Sequence, residues 1–251
     1  MLSSQKYKLI KIFKKSFNFF NLEIDKLSPR SNPELQVARI LEKMKIDLVV
    51  DIGANEGQFA SEIIYFGYKG KILSFEPLSS AYSRLLGSSA NISSWEVYPR
   101  CAIGDHDGEI EINISNYSVS SSILPITKLH LNAEPRSKTI GKEKVKIYKL
   151  DSIIFPYIES SKNAFLKIDT QGFEWQVLNG CEKSLSSFKG ILCELSLQPL
   201  YESQHLWLEI IERLRNNEFY LYAIQPGFTD PSSGQTLQIN GIFLNKSFPH
   251  Q

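Results

Sequence analysis

Asp51-Ile52-Gly53-Ala54-Asn55-Glu56-Gly57 stands between a β-branched run and a stretch of helical spacing. Gly53 lets backbone pass close to a ligand without a Cβ in the way. The free N–H groups at the start of the following helix suit a carboxylate, and Asp51 could attract an ammonium. Glu76 ends the next strand, where an acid can accept hydrogen bonds from both hydroxyls of a ribose. Turn and acid together ask for a nucleoside that carries an amino acid; a tight turn plus an unrelated surface Glu is the plainer alternative. Asn55 and Gln58 stand where the second and third glycines of a GxGxxG fingerprint would be. No GxxxxGK[ST] sequence occurs either, so dinucleotide binding and phosphate cradling lack their motifs.

Three further acids sit where strands should end. Asp169 closes the run Ala164-Phe165-Leu166-Lys167-Ile168, Glu174 starts the next helical stretch, and Glu194 falls near the end of a fifth strand. An alcohol is a poor nucleophile and needs a base to take its proton, a role open to any of the three, Asp169 first. Each has a structural alternative: a turn cap, an acid favoured by a helix dipole, a buried hydrogen-bonded acid. Together they could hold a divalent cation such as Mg²⁺ or Ca²⁺. His106, His130 and His205 lie in or near loops and any one could be the base, but without spaced partners they read as surface residues, while Trp175 and Trp207 read as helix packing.

The elements that must carry these residues alternate. Helices are predicted over 33–45, 56–66, 78–88, 173–186 and 203–216, and strands over 47–52, 71–76, 95–98, 164–169 and 190–195. The 95–98 strand is expected to continue toward Cys101-Ala102-Ile103. Strand–helix alternation implies parallel pairing with right-handed crossovers. Residues 219–224 and 241–244 have no helix between them and should pair antiparallel. The expected fold is therefore α/β: a Rossmann-like, mostly parallel sheet with an antiparallel C-terminal strand pair and helices on both faces. Residues 109–114 and 145–150 alternate with period two and flank a Ser-rich, polar loop. This insertion, about 105–150, is expected to lie over the substrate end of the sheet.

Hydrophobic residues make up 42% of 251, enough for a core, and a net charge of +1 offers no electrostatic case for nucleic acid. Three widely spaced cysteines suggest neither a zinc site nor disulfides, which fits a reducing, cytoplasmic setting. No apolar run is long enough to span a membrane. Residues 1–45 read as a basic helical extension and 46–251 as the main domain. Lys6, Lys8, Lys11, Lys14 and Lys15 alternate with Ile10, Phe13, Phe17 and Phe20. Residues 1–25 could lie on an anionic inner membrane surface, or pack their apolar face on the domain. Oligomeric state is open.

Four segments carry a resemblance: VVDIGANEGQFA (49–60), ILSFEP (72–77), CAIGDHDGEIEI (101–112) and FLKIDTQGFEWQVLNG (165–180). The chain resembles the FkbM family of methyltransferases over about residues 45–245. The first two segments resemble those of class I S-adenosylmethionine enzymes, and the Lys-Ile-Asp-x-x-Gly-x-Glu pattern is the family-specific one. The resemblance implies S-adenosylmethionine held by Asp51, Gly53, Ala54, Asn55, Gly57, Glu76, Pro77, Cys101, Ala102 and Asp169. It implies methyl transfer to a hydroxyl of a sugar, glycan or similar small molecule, with Asp169, Glu174 and Glu194 as catalytic candidates. Gln171 stands where the family often has Glu, a change that removes a charge, keeps an acceptor and adds a donor. N-methylation on the same scaffold, or a non-catalytic cofactor-binding protein, stays open.

Overall fold

Pro33 opens helix α1 (Pro33–Lys43), and the Asn32 side chain caps it by accepting the Leu35 N–H at 2.6 Å. The computed structural model describes residues 26–247, with Lys14 and Phe17 as helical positions. The membrane-surface reading of residues 1–25 thus falls on a segment that lies, those two positions apart, outside the described residues. Among the described residues no helix is long and apolar enough to cross a membrane.

Strand β1 (Leu48–Ile52), helix α2 (Gln58–Tyr65), strand β2 (Lys71–Phe75), helix α3 (Ser79–Ser89) and strand β3 (Trp95–Val97) come next. The following unit comprises β4 (Ala102–Gly104), β5 (Gly108–Ser115), α4 (Lys128–Ala133) and β6 (Thr139–Lys149). The chain then runs through α5 (Phe155–Glu159), β7 (Ala164–Ile168), α6 (Glu174–Asn179), β8 (Phe188–Ser196), α7 (Trp207–Asn216), β9 (Phe219–Pro226) and β10 (Gln238–Asn245). The main sheet has seven strands in the order β3-β2-β1-β7-β8-β10-β9. β10 is antiparallel to both β8 and β9, while the other pairs are parallel. This is the mixed α/β sheet expected of a class I methyltransferase.

Strand alternation divides the core into two layers. Val49, Phe165, Leu192 and Ile242 pack with Val37, Leu41 and Ile63 from α1 and α2. Their neighbours Val50, Leu166, Ile191 and Phe243 pack with Val177, Leu178, Ile210 and Leu214 from α6 and α7. Helix α1, expected in an N-terminal extension, is therefore part of the domain core.

Three elements differ from expectation, each for a local reason. β3 stops at Val97, before Pro99, which has no N–H for a ladder. Ala102–Gly104 leaves for a second sheet of order β4-β6-β5, parallel to β6, while β5 and β6 pair antiparallel. Helix α6 ends at Asn179, and only glycine fits the cap that follows, since a Cβ on Gly180 would lie 1.8 Å from the Gly104 carbonyl oxygen. Helix α7 starts only at Trp207, where Glu209 accepts the Leu206 N–H at 2.9 Å.

Candidate active site

The tips of β1 and β2 are tied together by backbone. Gly53 and Ala54 N–H groups both donate to the Phe75 carbonyl, at 3.1 and 3.0 Å. Gly53 has φ +77, and a Cβ there would meet the Asp169 carbonyl oxygen at 1.8 Å, so only glycine fits. Glu76 clamps the turn to its own strand end: Oε2 accepts the Asn55 N–H at 2.7 Å and Oε1 the Leu78 N–H at 2.9 Å. Burial pushes its carboxyl up to about 7, against the pull of those two N–H groups and Lys167. Each oxygen keeps a further lone pair for a ligand.

Asp51, Ser74 and Lys167 are direct cross-strand partners on β1, β2 and β7. Lys167 Nζ lies 3.1 Å from Asp51 Oδ1, 3.5 Å from Asp169 Oδ2 and 3.0 Å from the Gly53 carbonyl it donates to. Ser74 Oγ donates to Asp51 Oδ2 at 3.4 Å and accepts the Trp95 indole N–H at 2.9 Å. Burial raises the Asp51 carboxyl while Lys167 pulls it down. Burial opposes charge on Lys167, but Asp51 and Asp169 outweigh it and hold the amine above its ordinary value. The sequence aims Asp51 at a ligand ammonium. The structure buries its carboxylate fully, on the same sheet face as its cross-strand partners Ser74 and Lys167 and 3.1 Å from the Lys167 amine. Lys167 opens the Lys-Ile-Asp-x-x-Gly-x-Glu pattern but is not among the residues that the sequence reading gives a role. Its signal is a lysine inside an otherwise apolar strand, which must be paired if buried.

The loop after β7 collects the other acids. Glu174 is buried, and its Oε1 accepts the Thr170 N–H, the Thr170 hydroxyl and the Gly172 N–H at 2.9, 3.2 and 3.1 Å. Burial raises its carboxyl. Glu194 Oε2 accepts from Gln171 Nε2 at 2.9 Å, and burial, reinforced by Asp169 and Glu174, raises it further still. Asp169 Oδ1 accepts from the same Gln171 nitrogen at 2.9 Å.

A cavity of about 400 Å³ opens at these tips, within the usual range for small-molecule sites. Gly53, Ala54, Asn55, Glu76 and Pro77 line one side, and Cys101 and Ala102 continue it. Lys167, Asp169, Thr170 and Gln171 form its floor, and Ser118, Val119, Ser121 and Ile123 of the insertion face it. Asp51 and Gly57 do not line it: Gly57 has φ +92 and abuts the Trp95 ring at the start of α2. Glu174 and Glu194 are absent from the lining too, so of the three catalytic candidates only Asp169 borders the cavity.

Residues 51–221 match the methyltransferase FkbM domain. The chain belongs to this family. It is an S-adenosylmethionine-dependent methyltransferase. It is 28% identical over 176 residues to the 2-O-methyltransferase NoeI of Sinorhizobium fredii (strain NBRC 101917 / NGR234), covering 67% of this chain and 71% of that protein. An rRNA methylase structure from Streptococcus thermophilus aligns with a TM-score of 0.46 at 11% identity, over 88% of this chain and 99% of that one. Fibrillarin of Aeropyrum pernix, solved with S-adenosyl-L-methionine, aligns at 0.44 and 9% identity, over 79% and 66%.

The FkbM cavity fits that cofactor by its donor set. Glu76 presents carboxylate oxygens, and Pro77, Leu78, Ala102 and Ile103 apolar surface, the acceptors and the wall that a ribose and a base would need. With Asp51 and Lys167 paired, Asp169 leaves negative charge facing the cavity, which suits a sulfonium or ammonium. Among the described residues no group of three or more His, Cys, Asp or Glu is arranged to hold a metal ion. The Gln171 amide occupies the space between Asp169 and Glu194 that a cation would need. Among the described residues no histidine lines the cavity. His130, expected at the surface, is buried against Tyr201 and Phe228. His205 stacks on Trp175 with ring centroids 4.1 Å apart.

Proposed function

We propose that this FkbM enzyme methylates a hydroxyl oxygen of a sugar, a glycan or a similar hydroxylated small molecule, with Asp169 as general base. The observation that carries the reading is Asp169 itself: the one acid among the three candidates that lines the cavity, with its side chain 35% exposed. When bound, S-adenosylmethionine supplies an electrophilic methyl on its sulfonium. Asp169 accepts a hydrogen bond from the acceptor hydroxyl and takes its proton as the oxygen becomes nucleophilic. Ser118 and Ser121 of the insertion, with Gln225 and Asn240 across the cavity, offer neutral polar groups to further hydroxyls. Val119 and Ile123 wall the acceptor from water. The naming of the Sinorhizobium relative as a 2-O-methyltransferase supports oxygen as the acceptor atom.

The test is mass spectrometry of a panel of methyl glycosides and peptide amines after incubation with isotope-labelled cofactor. Label on a glycoside oxygen is expected. Asp169→Asn should lower kcat by roughly 10²–10⁴-fold, the range for a lost general base. Label on amines alone would sink the reading.

A further inference from the structure

We propose that Gln171 is a positioning residue that aims Asp169 at the acceptor and links that aim to the inserted segment. The inference rests on Asp169 as the base. The structure shows what the Gln171 amide does. Its Nε2 serves two acceptors, Asp169 Oδ1 and Glu194 Oε2, both at 2.9 Å. Its carbonyl oxygen accepts from the hydroxyl of Tyr201 at 2.9 Å, and Tyr201 is fully buried. That contact fixes the amide's orientation, because a flipped amide would turn its carbonyl toward two carboxyl groups.

The backbone is held as firmly. Gln171 has φ +55, a left-handed conformation that disfavours a side chain unless contacts impose it. The Ser122 hydroxyl donates to the Gln171 carbonyl at 2.6 Å, and the Tyr201 hydroxyl also lies 3.1 Å from the Ser120 carbonyl. A Cβ on Gly172 would touch the Tyr201 ring at 2.9 Å, so the loop sits flush on that ring. Ser120 and Ser122 belong to the inserted segment whose neighbours Ser118, Val119 and Ser121 face the acceptor space. A shift of that segment is therefore transmitted through Tyr201 and the Gln171 amide to the Asp169 carboxylate. Without the amide, nothing ties Asp169 Oδ1 to Glu194 and Tyr201, and the more exposed Asp169 is free to turn away.

The deciding experiment compares crystal structures of the full wild-type chain and Gln171→Leu, each with S-adenosylhomocysteine. The Asp169 carboxylate is expected to swing by about 1 Å or more, the scale at which misplacement impairs catalysis. An unmoved Asp169 overturns the proposal. Tyr201→Phe, which keeps the ring and removes only the anchor, should show a smaller swing of the same kind if Gln171→Leu does not fold. With methyl glycosides as acceptors, both variants should lose kcat by on the order of tenfold or more, leaving the KM for cofactor unchanged. Gln171→Glu should move the acid limb of the kcat profile upward by about one pH unit, because a third carboxylate joins the pair. An unchanged kcat and an unmoved limb count against the proposal. A wild-type chain that methylates no glycoside sinks the sugar reading instead, while the crystallographic comparison still judges Gln171.

Discussion

Glu76 and Lys167 are buried charged groups whose partners hold the strand tips together. Glu76 fastens the turn through two backbone N–H groups, and its remaining lone pairs are what a ribose needs. Its carboxyl sits at about 7, above the ordinary carboxylate range, so the protonated form accumulates as pH falls below that value. A ribose bound there would donate its hydroxyls to the ionised form. Cofactor affinity measured by calorimetry should therefore rise between about pH 6 and pH 8, and Glu76→Gln should flatten the rise. Glu76→Ala should weaken binding by about 1–3 kcal/mol, the worth of lost charge-assisted hydrogen bonds; an unchanged dissociation constant would contradict the ribose assignment. Lys167→Met would strand Asp51 without its counter-charge and cost about 3–5 kcal/mol. The cost should shrink in acid as Asp51 takes a proton, so denaturant unfolding at about pH 8 and pH 5 checks it. A gap of equal size at both would mean Asp51 carries no charge.

At the scale of the element, the informative unit is the loop between β7 and α6. Its sequence, Asp169-Thr170-Gln171-Gly172-Phe173-Glu174, reads as an acidic catalytic run. Folded, it divides the labour: Asp169 faces the cavity, and Glu174 turns back to collect the loop's own donors. Glu174→Gln retains an acceptor for those donors, so it should leave kcat nearly intact. Glu174→Ala leaves buried N–H groups unpaired and should cost about 1–3 kcal/mol of stability. A collapse of kcat in Glu174→Gln with the cofactor still bound would restore Glu174 as a catalytic group. The strand and helix types were legible from periodicity, because buried parallel strands and amphipathic helices write different patterns. Their ends were not: α6 stops at Asn179, and its cap, Gly180, packs against Gly104, a residue more than seventy positions away.

For the whole molecule, the question is how the insertion is fastened to the sheet. Leu78, Ala102, Ile147 and Phe173 form one apolar seam, and Ala133, Leu200, Tyr201 and Leu237 another. Glu143 of β6 adds a polar tie, accepting the Ser79 N–H and hydroxyl at 2.7 Å each, at the start of α3. His130 lies in the second seam, and burial lowers its pKa to about 4 from an ordinary 6.5. A base held neutral in the fold contributes stability above about pH 6.5 and loses it as pH falls toward 4, because the unfolded chain binds the proton first. The loss amounts to a few kcal/mol at most. Thermal unfolding of wild type against His130→Leu should show the difference changing across that window. A constant difference would place His130 in contact with water.

The sequence by itself determined the sheet class, the glycine turn with its partner acid, and the antiparallel finish, since each depends on local periodicity, glycine's conformational range and strand length. Tertiary structure alone decided which acid borders the cavity. Asp51, Asp169, Glu174 and Glu194 are alike in type. What separates them is how far each lies from the strand tips, the cross-strand register that sets Lys167 beside Asp51, and the Tyr201 hydroxyl that orients Gln171 between two carboxyl groups. Those are contacts between residues far apart along the chain, and no local spacing encodes them.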